Sequence, residues 1–483
     1  MQSPLRALLL RFNCDVTQNG LKNIMKEVPF AFCASLGTSH TTYPSVPSDA
    51  QPQFVSMDVR HGIYKNVDHA MLQPIDEELI EAMRDAESLF MYMLVRHEFA
   101  RTIPYLKRKQ LYLKHLRFWN DFLDRHDINI LLSSTLPHEM PDHIIYALCK
   151  YKKIPTIFAH ATPIRDTFFL QTDIEESSAD LRDRFEEICK ENTHDEMLSD
   201  QLELYYKTQT QLEGQLSVIY PIKPKTIWQK FFSNILGAPN ALLHWMPTLL
   251  STKDWIRRIQ KLRSARLQRD LCVFYDKHAV KPDFEKDYIY YPLQYQPECS
   301  TCPMAGAFVD QEVSLHLLSR TIPKDVLIYV KEHPRQRKEG TAARTIEFYK
   351  ELLSMPNVRL IAHEASTFHL REHCRAVATA TGTAGFEAIF REKPAIIFGH
   401  AFYQYAPGIH SIRTVDDCKK AVHAIFNEEK KPTLPEVRKF LKAIDDTRMH
   451  LAIGGWYIDI SNRTVKESTN VFTFALKKAL LSL

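Results

Sequence analysis

Three short stretches in the second half of the chain carry side chains that could do chemistry. The first is Tyr329-Val-Lys331-Glu332-His333-Pro334, an apolar run that ends in a cation, an acid and an imidazole. Pro334 has no N–H to donate, so it stops further ladder pairing. In open α/β sheets ligands bind outside the carboxyl ends of the strands. A Lys and a His placed there suit a phosphate, or a leaving group that needs a proton. The second stretch, Thr379 to Ala388, sets Thr381, Gly382 and Thr383 ahead of a helix that contains Glu387. Small residues let the backbone approach a ligand, and the free N–H groups of the helix start attract an anion. The third, Tyr291 to Thr301, is a Pro-bounded loop offering Gln294, Gln296 and Glu298. For each stretch the bland alternative is an ordinary turn without a ligand. In the first half, Leu136-Pro-His138-Glu139-Met-Pro-Asp142 also follows an apolar run. Asp142 fits a helix N-cap, whereas Glu139, an acid facing an interdomain cleft, is a candidate catalytic group.

What the chain lacks narrows the chemistry. It has neither a GxGxxG fingerprint nor a GxxxxGK[ST] loop, which disfavours a dinucleotide and a P-loop. It also has no Asp-x-Asp triplet, the motif with which many diphosphate-sugar transferases hold a divalent metal. A donor with one phosphate needs no such neutralisation, so metal-free transfer from a CMP-linked sugar fits better, with no metal site and no cofactor. The nine cysteines are odd in number and scattered, which argues against a disulfide framework. Cys299-Ser-Thr-Cys302 is a lone CxxC without a second ligand pair, so zinc is disfavoured and a redox role is the residual alternative.

Alternating elements must position these groups. Val28–Cys33, Asn129–Ser133 and Pro155–His160 read as strands, with helices over Glu77–Arg125 and Asp142–Lys152. Residues 37–56 read as loop. Strand, helix and strand within about 30 residues make a βαβ unit and a parallel sheet. A second alternation begins near Leu271, with strands at Tyr288–Pro292, Asp325–Val330, Val358–Ile361, Arg375–Thr379 and Pro394–Phe398. The expected organisation is α/β: a first domain over 1–170, a helical insertion or bridge over 171–265, a second domain over 266–430, and a helical tail over 431–483 that packs back on the first domain.

The formal net charge of +4 over 483 residues argues against a nucleic-acid binder. No run of 18 apolar residues is present, and the start Met1 to Arg11 is too short for a secretory signal. The expectation is a reduced, cytoplasmic protein. Residues 255–269 place Ile256, Ile259, Leu262 and Leu267 near helical spacing beside Arg257, Arg258, Lys261 and Arg263. Such a basic amphipathic helix can lie on anionic lipid. The bland alternative is a solvated linker.

In their order these motifs resemble the capsule polysaccharide synthesis family, which includes retaining β-Kdo transferases. The resemblance covers roughly 128–168 and 288–410. It rests on Pro292-Leu-Gln-Tyr-Gln-Pro-Glu298, Lys331-Glu-His-Pro334, Thr381-Gly-Thr-Ala-Gly-Phe-Glu387-Ala, and Lys393-Pro-Ala-Ile-Ile-Phe-Gly399 followed by Phe402-Tyr403. It implies two Rossmann-like domains facing a cleft, the GT-B arrangement. It also implies transfer of Kdo or a related acidic sugar from a CMP-sugar donor to a glycan or glycolipid acceptor of a surface polysaccharide. The His-Pro pair and the hydroxyl pair are similar to those of bacterial sialyltransferases. On that likeness His333 would meet the CMP phosphate and Thr381, Gly382 and Thr383 would hold it; Lys331, Pro334 and Glu387 are further nucleotide-binding candidates, Glu139, Glu298 and His333 are the catalytic candidates, and the nucleophile or base is one of Glu139, Asp142 and Glu298. The competing readings are another GT-B enzyme, such as a UDP-sugar transferase or a UDP-GlcNAc 2-epimerase, and a non-catalytic scaffold of polysaccharide assembly. An epimerase usually shows Ser-Gly-Gly where this chain has Thr381-Gly-Thr.

Overall fold

A computed structural model describes residues 4–38, 40–96, 103–191, 197–211, 252–339 and 344–482. Two mainly parallel sheets organise them. The first contains β1 (Leu5–Leu10), β2 (Phe30–Gly37), β3 (Gln53–Val55), β4 (Ile130–Ser133), β5 (Thr156–Ala161) and β6 (Thr167–Gln171). The second contains β7 (Tyr288–Pro292), β8 (Leu327–Lys331), β9 (Val358–Leu360), β10 (Ala376–Thr379), β11 (Ala395–Ile397) and β12 (Ile409–Ser411). A last short strand, β13 (Met449–His450), returns to the first sheet.

The first sheet runs β13-β6-β5-β4-β1-β2-β3, with β6 antiparallel to β5 and β13 antiparallel to β6. The second runs β12-β11-β10-β7-β8-β9 and is parallel throughout. Each sheet therefore starts at its centre, winds outward to one edge, and then crosses back to the other side of the starting strand. That is the doubly wound order, and its switch points lie between β1 and β4 and between β7 and β10. The central strands are near-continuous apolar runs because helices cover both of their faces. Leu8 and Leu10 pack into one apolar layer, Ala7 and Leu9 into the other.

The expected strands are present, with shifted ends. The strand read at Val28–Cys33 runs Phe30–Gly37, and the stretch read as loop over 37–56 contains β3. The tail is not purely helical, because β13 completes the first sheet. Its last helix, Val465–Leu481, lies on Asp15–Ile24 of the first lobe. Gly20 permits the approach, since a Cβ there would stand 2.6 Å from the Phe472 ring. Capping boxes at Thr433/Glu436 and Thr464/Glu467 fix where the tail helices begin.

The segment read as a helical bridge is described only in part. Helices Ala179–Glu191 and Asp200–Gln211 pack on Leu434–Thr447 of the tail and on Phe386 and Phe390 of the second lobe. Residues 212–251 lie outside the described residues. In helix Thr252–His278, Ile259, Leu262 and Leu267 are exposed. The side chains of Ile256, Arg257, Arg258 and Lys261 lie outside the described residues. No helix among those described is long and apolar enough to cross a membrane.

Candidate functional site

The switch point of the second sheet is closed by side chains of its own strand-end loops. Gln294, just past β7, accepts a hydrogen bond from the Thr381 backbone N–H at 3.0 Å and donates to Thr381 Oγ1 at 3.3 Å. Thr381 is buried, and its hydroxyl donates to the Ser300 carbonyl. The loops after β7 and β10 are thus one unit. The glycines of the second motif are there for lack of space. A Cβ on Gly382 would stand 2.7 Å from Thr379 Oγ1, and one on Gly385 would stand 2.8 Å from the Tyr403 hydroxyl. That hydroxyl donates to the Gly382 carbonyl, which ties Tyr403 to the Thr-Gly-Thr turn. Thr383 opens helix Thr383–Ile389 and is exposed.

His333 lies at the end of β8, and β8 and β10 flank β7. Two strand spacings separate their ends, about 10 Å. The imidazole Nδ1 accepts from the Arg335 backbone N–H at 3.2 Å. Its ring centre lies 5.9 Å from that of Tyr295, and the Arg335 guanidinium sits 4.8 Å over the Tyr295 ring. Arg335 is also 3.7 Å from the exposed Glu298 carboxylate. Pro334 begins helix Pro334–Glu339 and turns the chain away from the ladder.

Two residues expected at the nucleotide are occupied elsewhere. Lys331 is buried, and its ammonium donates to the Ala365 carbonyl. Burial lowers its pKa. Side chains alternate along a strand, so Lys331 shares the face of Tyr329, and that face carries it toward residue 365. Glu387 forms an ion pair with Arg371.

The first lobe brings its own switch-point loops to the same cleft. Arg11, directly after β1, grips Asp142 with Nε–Oδ2 at 2.6 Å and Nη2–Oδ1 at 3.1 Å. Asp142 is fully buried, so its work is this bidentate pair and not a helix cap. Glu139 accepts from Arg60 Nη2 at 3.2 Å, and its other oxygen is 3.9 Å from His138 Nε2. Burial would raise the Glu139 carboxyl, but His138, Arg11, Arg60 and Arg96 together outweigh it and hold the acid below its ordinary range. Burial lowers the His138 pKa, so the imidazole is neutral near pH 7.

Arg96 joins the lobes. It donates to the His138 carbonyl at 2.6 Å and to the Cys302 carbonyl of the second lobe. Tyr92 donates to Asp310 across the same seam, and Cys302, Met304 and Val309 pack in a first-lobe apolar cluster. These contacts set Glu139 close enough to Cys299, with Glu298, for both carboxylates to disfavour its thiolate. Burial comes first in pushing the Cys299 and Cys302 thiols up to about 12. Thiols that stay protonated at neutral pH are poor nucleophiles, which counts against the redox alternative.

Arg11 was not singled out in the sequence, although its place as a cation directly after an apolar run is the signal that could have found it. Arg60, Arg96 and the buried Arg344 reach the cleft from distant segments and carry no local signal.

The family model described as "Capsule polysaccharide biosynthesis protein" matches residues 255–431. The capsule polysaccharide export protein KpsS of Escherichia coli is 28% identical over 89 residues, 18% of this chain and 23% of that protein. The match therefore spans under a quarter of that curated relative. Among solved structures, the β-Kdo 2,7 transferase of Thermosulfurimonas dismutans KpsC is 12% identical, covering 83% of this chain and 97% of that one with a TM-score of 0.32. The UDP-GlcNAc 2-epimerase of Methanocaldococcus jannaschii is also 12% identical, covering 90% and 95% with a TM-score of 0.24. Over residues 255–431, which hold the whole second sheet and its strand-end loops, the chain is matched by the capsule polysaccharide biosynthesis family, the family its motifs resemble.

Proposed function

We propose that the protein transfers an acidic sugar, of the Kdo class, from a CMP-linked donor to a glycan or glycolipid acceptor of a surface polysaccharide. The observation that carries this reading is the closed switch point of the second sheet. There Gln294 holds Thr381 in place beside Gly382 and Thr383, with His333 one strand beyond β7. A phosphate bound over this edge would meet the start of helix Thr383–Ile389, the exposed Thr383 hydroxyl and an imidazole, while Thr381, committed to Gln294 and the Ser300 carbonyl, shapes the turn behind them. His333 would contact the phosphate or protonate the leaving group. Lys331 and Glu387 would act behind the site, through their buried partners.

Glu139 has the other part. A carboxyl held below its ordinary range is ionised at neutral pH, so it is a poor proton donor. It is suited to stabilise positive charge at the sugar's anomeric carbon, or to attack it. Glu298, exposed on the opposing loop, is the acid that can move a proton on the acceptor side. The exposed Ile259, Leu262 and Leu267 beside Arg263 would rest on anionic lipid where a lipid-linked acceptor is presented.

The test is release of CMP from CMP-Kdo in the presence of a Kdo-terminated glycolipid, run beside UDP-GlcNAc. Acceptor-dependent CMP release supports the reading. UDP release or epimerisation of UDP-GlcNAc, without CMP release, overturns it.

A further inference from the structure

A buried guanidinium that no sequence motif marks ties the site's loops together. Arg344 donates from Nε to Glu332 Oε2 at 2.9 Å, from Nη1 to Gln296 Oε1 at 2.8 Å, and from Nη2 to the Gln294 carbonyl at 3.0 Å. Glu332 follows β8, and Gln294 and Gln296 follow β7, so one side chain spans two adjacent strand ends. Both members of the ion pair are almost fully buried, at 2% and 1% side-chain exposure. Such a pair is weak evidence for stability, because desolvation offsets most of the attraction. Its geometry is what it supplies.

Glu332 passes the constraint on. Its second carboxylate oxygen accepts from the His333 backbone N–H at 2.6 Å, and Tyr349 donates to the first at 2.7 Å. On the other side, the Gln296 carboxamide oxygen also accepts from Gln311 at 3.0 Å, while Gln311 holds the Gln294 N–H at 2.8 Å. The result is a connected and satisfied network with its polar groups aimed at two loops.

We propose that Arg344 is a positioning residue. It sets the 294–298 loop and His333 relative to each other, and through Gln294 it sets Thr381. The assignment rests on the proposed nucleotide site only for its catalytic consequence. The claim about the loops stands on the geometry alone.

The experiment separates position from stability. Arg344→Met alone leaves the Glu332 carboxylate buried and unpaired, so it melts lower. The double variant Arg344→Met, Glu332→Gln removes both charges and should recover most of the melting temperature. Hydrogen exchange followed by mass spectrometry on the unliganded double variant should then show at least tenfold faster exchange in peptides covering 293–298 and 332–336. Peptides from β10 and β11 should be unchanged. CMP affinity, measured on the same samples, should fall about tenfold or more. Wild-type exchange in both loops at a recovered melting temperature overturns the proposal, as does a uniform rise across the second sheet. If wild-type protein binds no CMP, the donor reading fails while the exchange result still decides the role of Arg344.

Discussion

Replacing Gly399 with Ala adds one methyl where the structure has no room for it. The new Cβ would stand 2.4 Å from Thr381 Cγ2 and 2.7 Å from both the Ala305 Cα and the Met304 carbonyl oxygen. Two of these three atoms are backbone and cannot rotate away. The third belongs to a side chain pinned by Gln294 and by the Ser300 carbonyl. Gly399 cannot retreat either, because its N–H donates to the Ala380 carbonyl at 2.8 Å and the His400 N–H donates to Met304 O at 2.8 Å. Relief requires moving the 304–305 segment or Thr381. Overpacking of this kind costs about 1–3 kcal/mol. At about 2–4 °C per kcal/mol for a folding unit of 150–250 residues, melting should fall by roughly 2–12 °C. Gly455→Ala is the control, since nothing stands within 4 Å of its Cβ; it should stay within about 0.5 kcal/mol of wild type. Differential scanning fluorimetry reads both. Because Thr381 Cγ2 is the nearest of the three atoms, Gly399→Ala should also weaken CMP binding at temperatures where it is folded. Melting and CMP affinity equal to those of Gly455→Ala would refute the steric reasoning and the coupling of Gly399 to the site.

Stability should fall as pH drops from 7 to 5. Burial depresses His115 to about 3, and His143 and His160 to about 4, below the ordinary value of about 6.5. The unfolded chain therefore binds these protons first, so stability present above about pH 6.5 is lost on acidification, at up to about 1.4 kcal/mol per pH unit for each histidine. Urea midpoints at pH 7 and pH 5 check this, and equal midpoints would contradict it. His333→Ala should remove one charge-assisted hydrogen bond worth about 1.5–3 kcal/mol, a loss of roughly 10- to 100-fold in kcat/KM; wild-type kinetics would make the residue structural. Co-sedimentation with anionic vesicles should appear at low salt and fade at high salt. Protein that stays in the supernatant at low salt would leave helix Thr252–His278 as a linker.

Much of the fold was legible because its central strands are apolar runs that need no partner to be recognised. Tyr288–Pro292 was read with the bounds it has, and Asn129–Ser133 is off by one residue. The central strand β1 was left open between strand and helix; the other strands not seen, β3, β6, β12 and β13, lie toward the sheet edges, and all of these but β6 are three residues or fewer. They owe their conformation to pairing with a neighbour, which local sequence does not encode. The site divides in the same way. Loops at strand ends are placed by topology, so Gln294, His333 and Thr381 could be named in advance. Partnerships across the fold could not. Arg344 lies 50 residues from Gln294, and Arg96 lies 206 residues from Cys302. Lys331 could be named by its type at a strand end, but its partner could not: the Ala365 carbonyl lies 34 residues further on and carries no local signal.

The central claim is that the second lobe holds a nucleotide with a single phosphate. Titrating the protein with CMP in a calorimeter, in buffer containing EDTA, tests it most directly. The account predicts saturable CMP binding that EDTA leaves unchanged, tighter than UDP, and weakened at least tenfold by His333→Ala. UDP binding as tight as CMP or tighter, or CMP binding indifferent to His333, would contradict it.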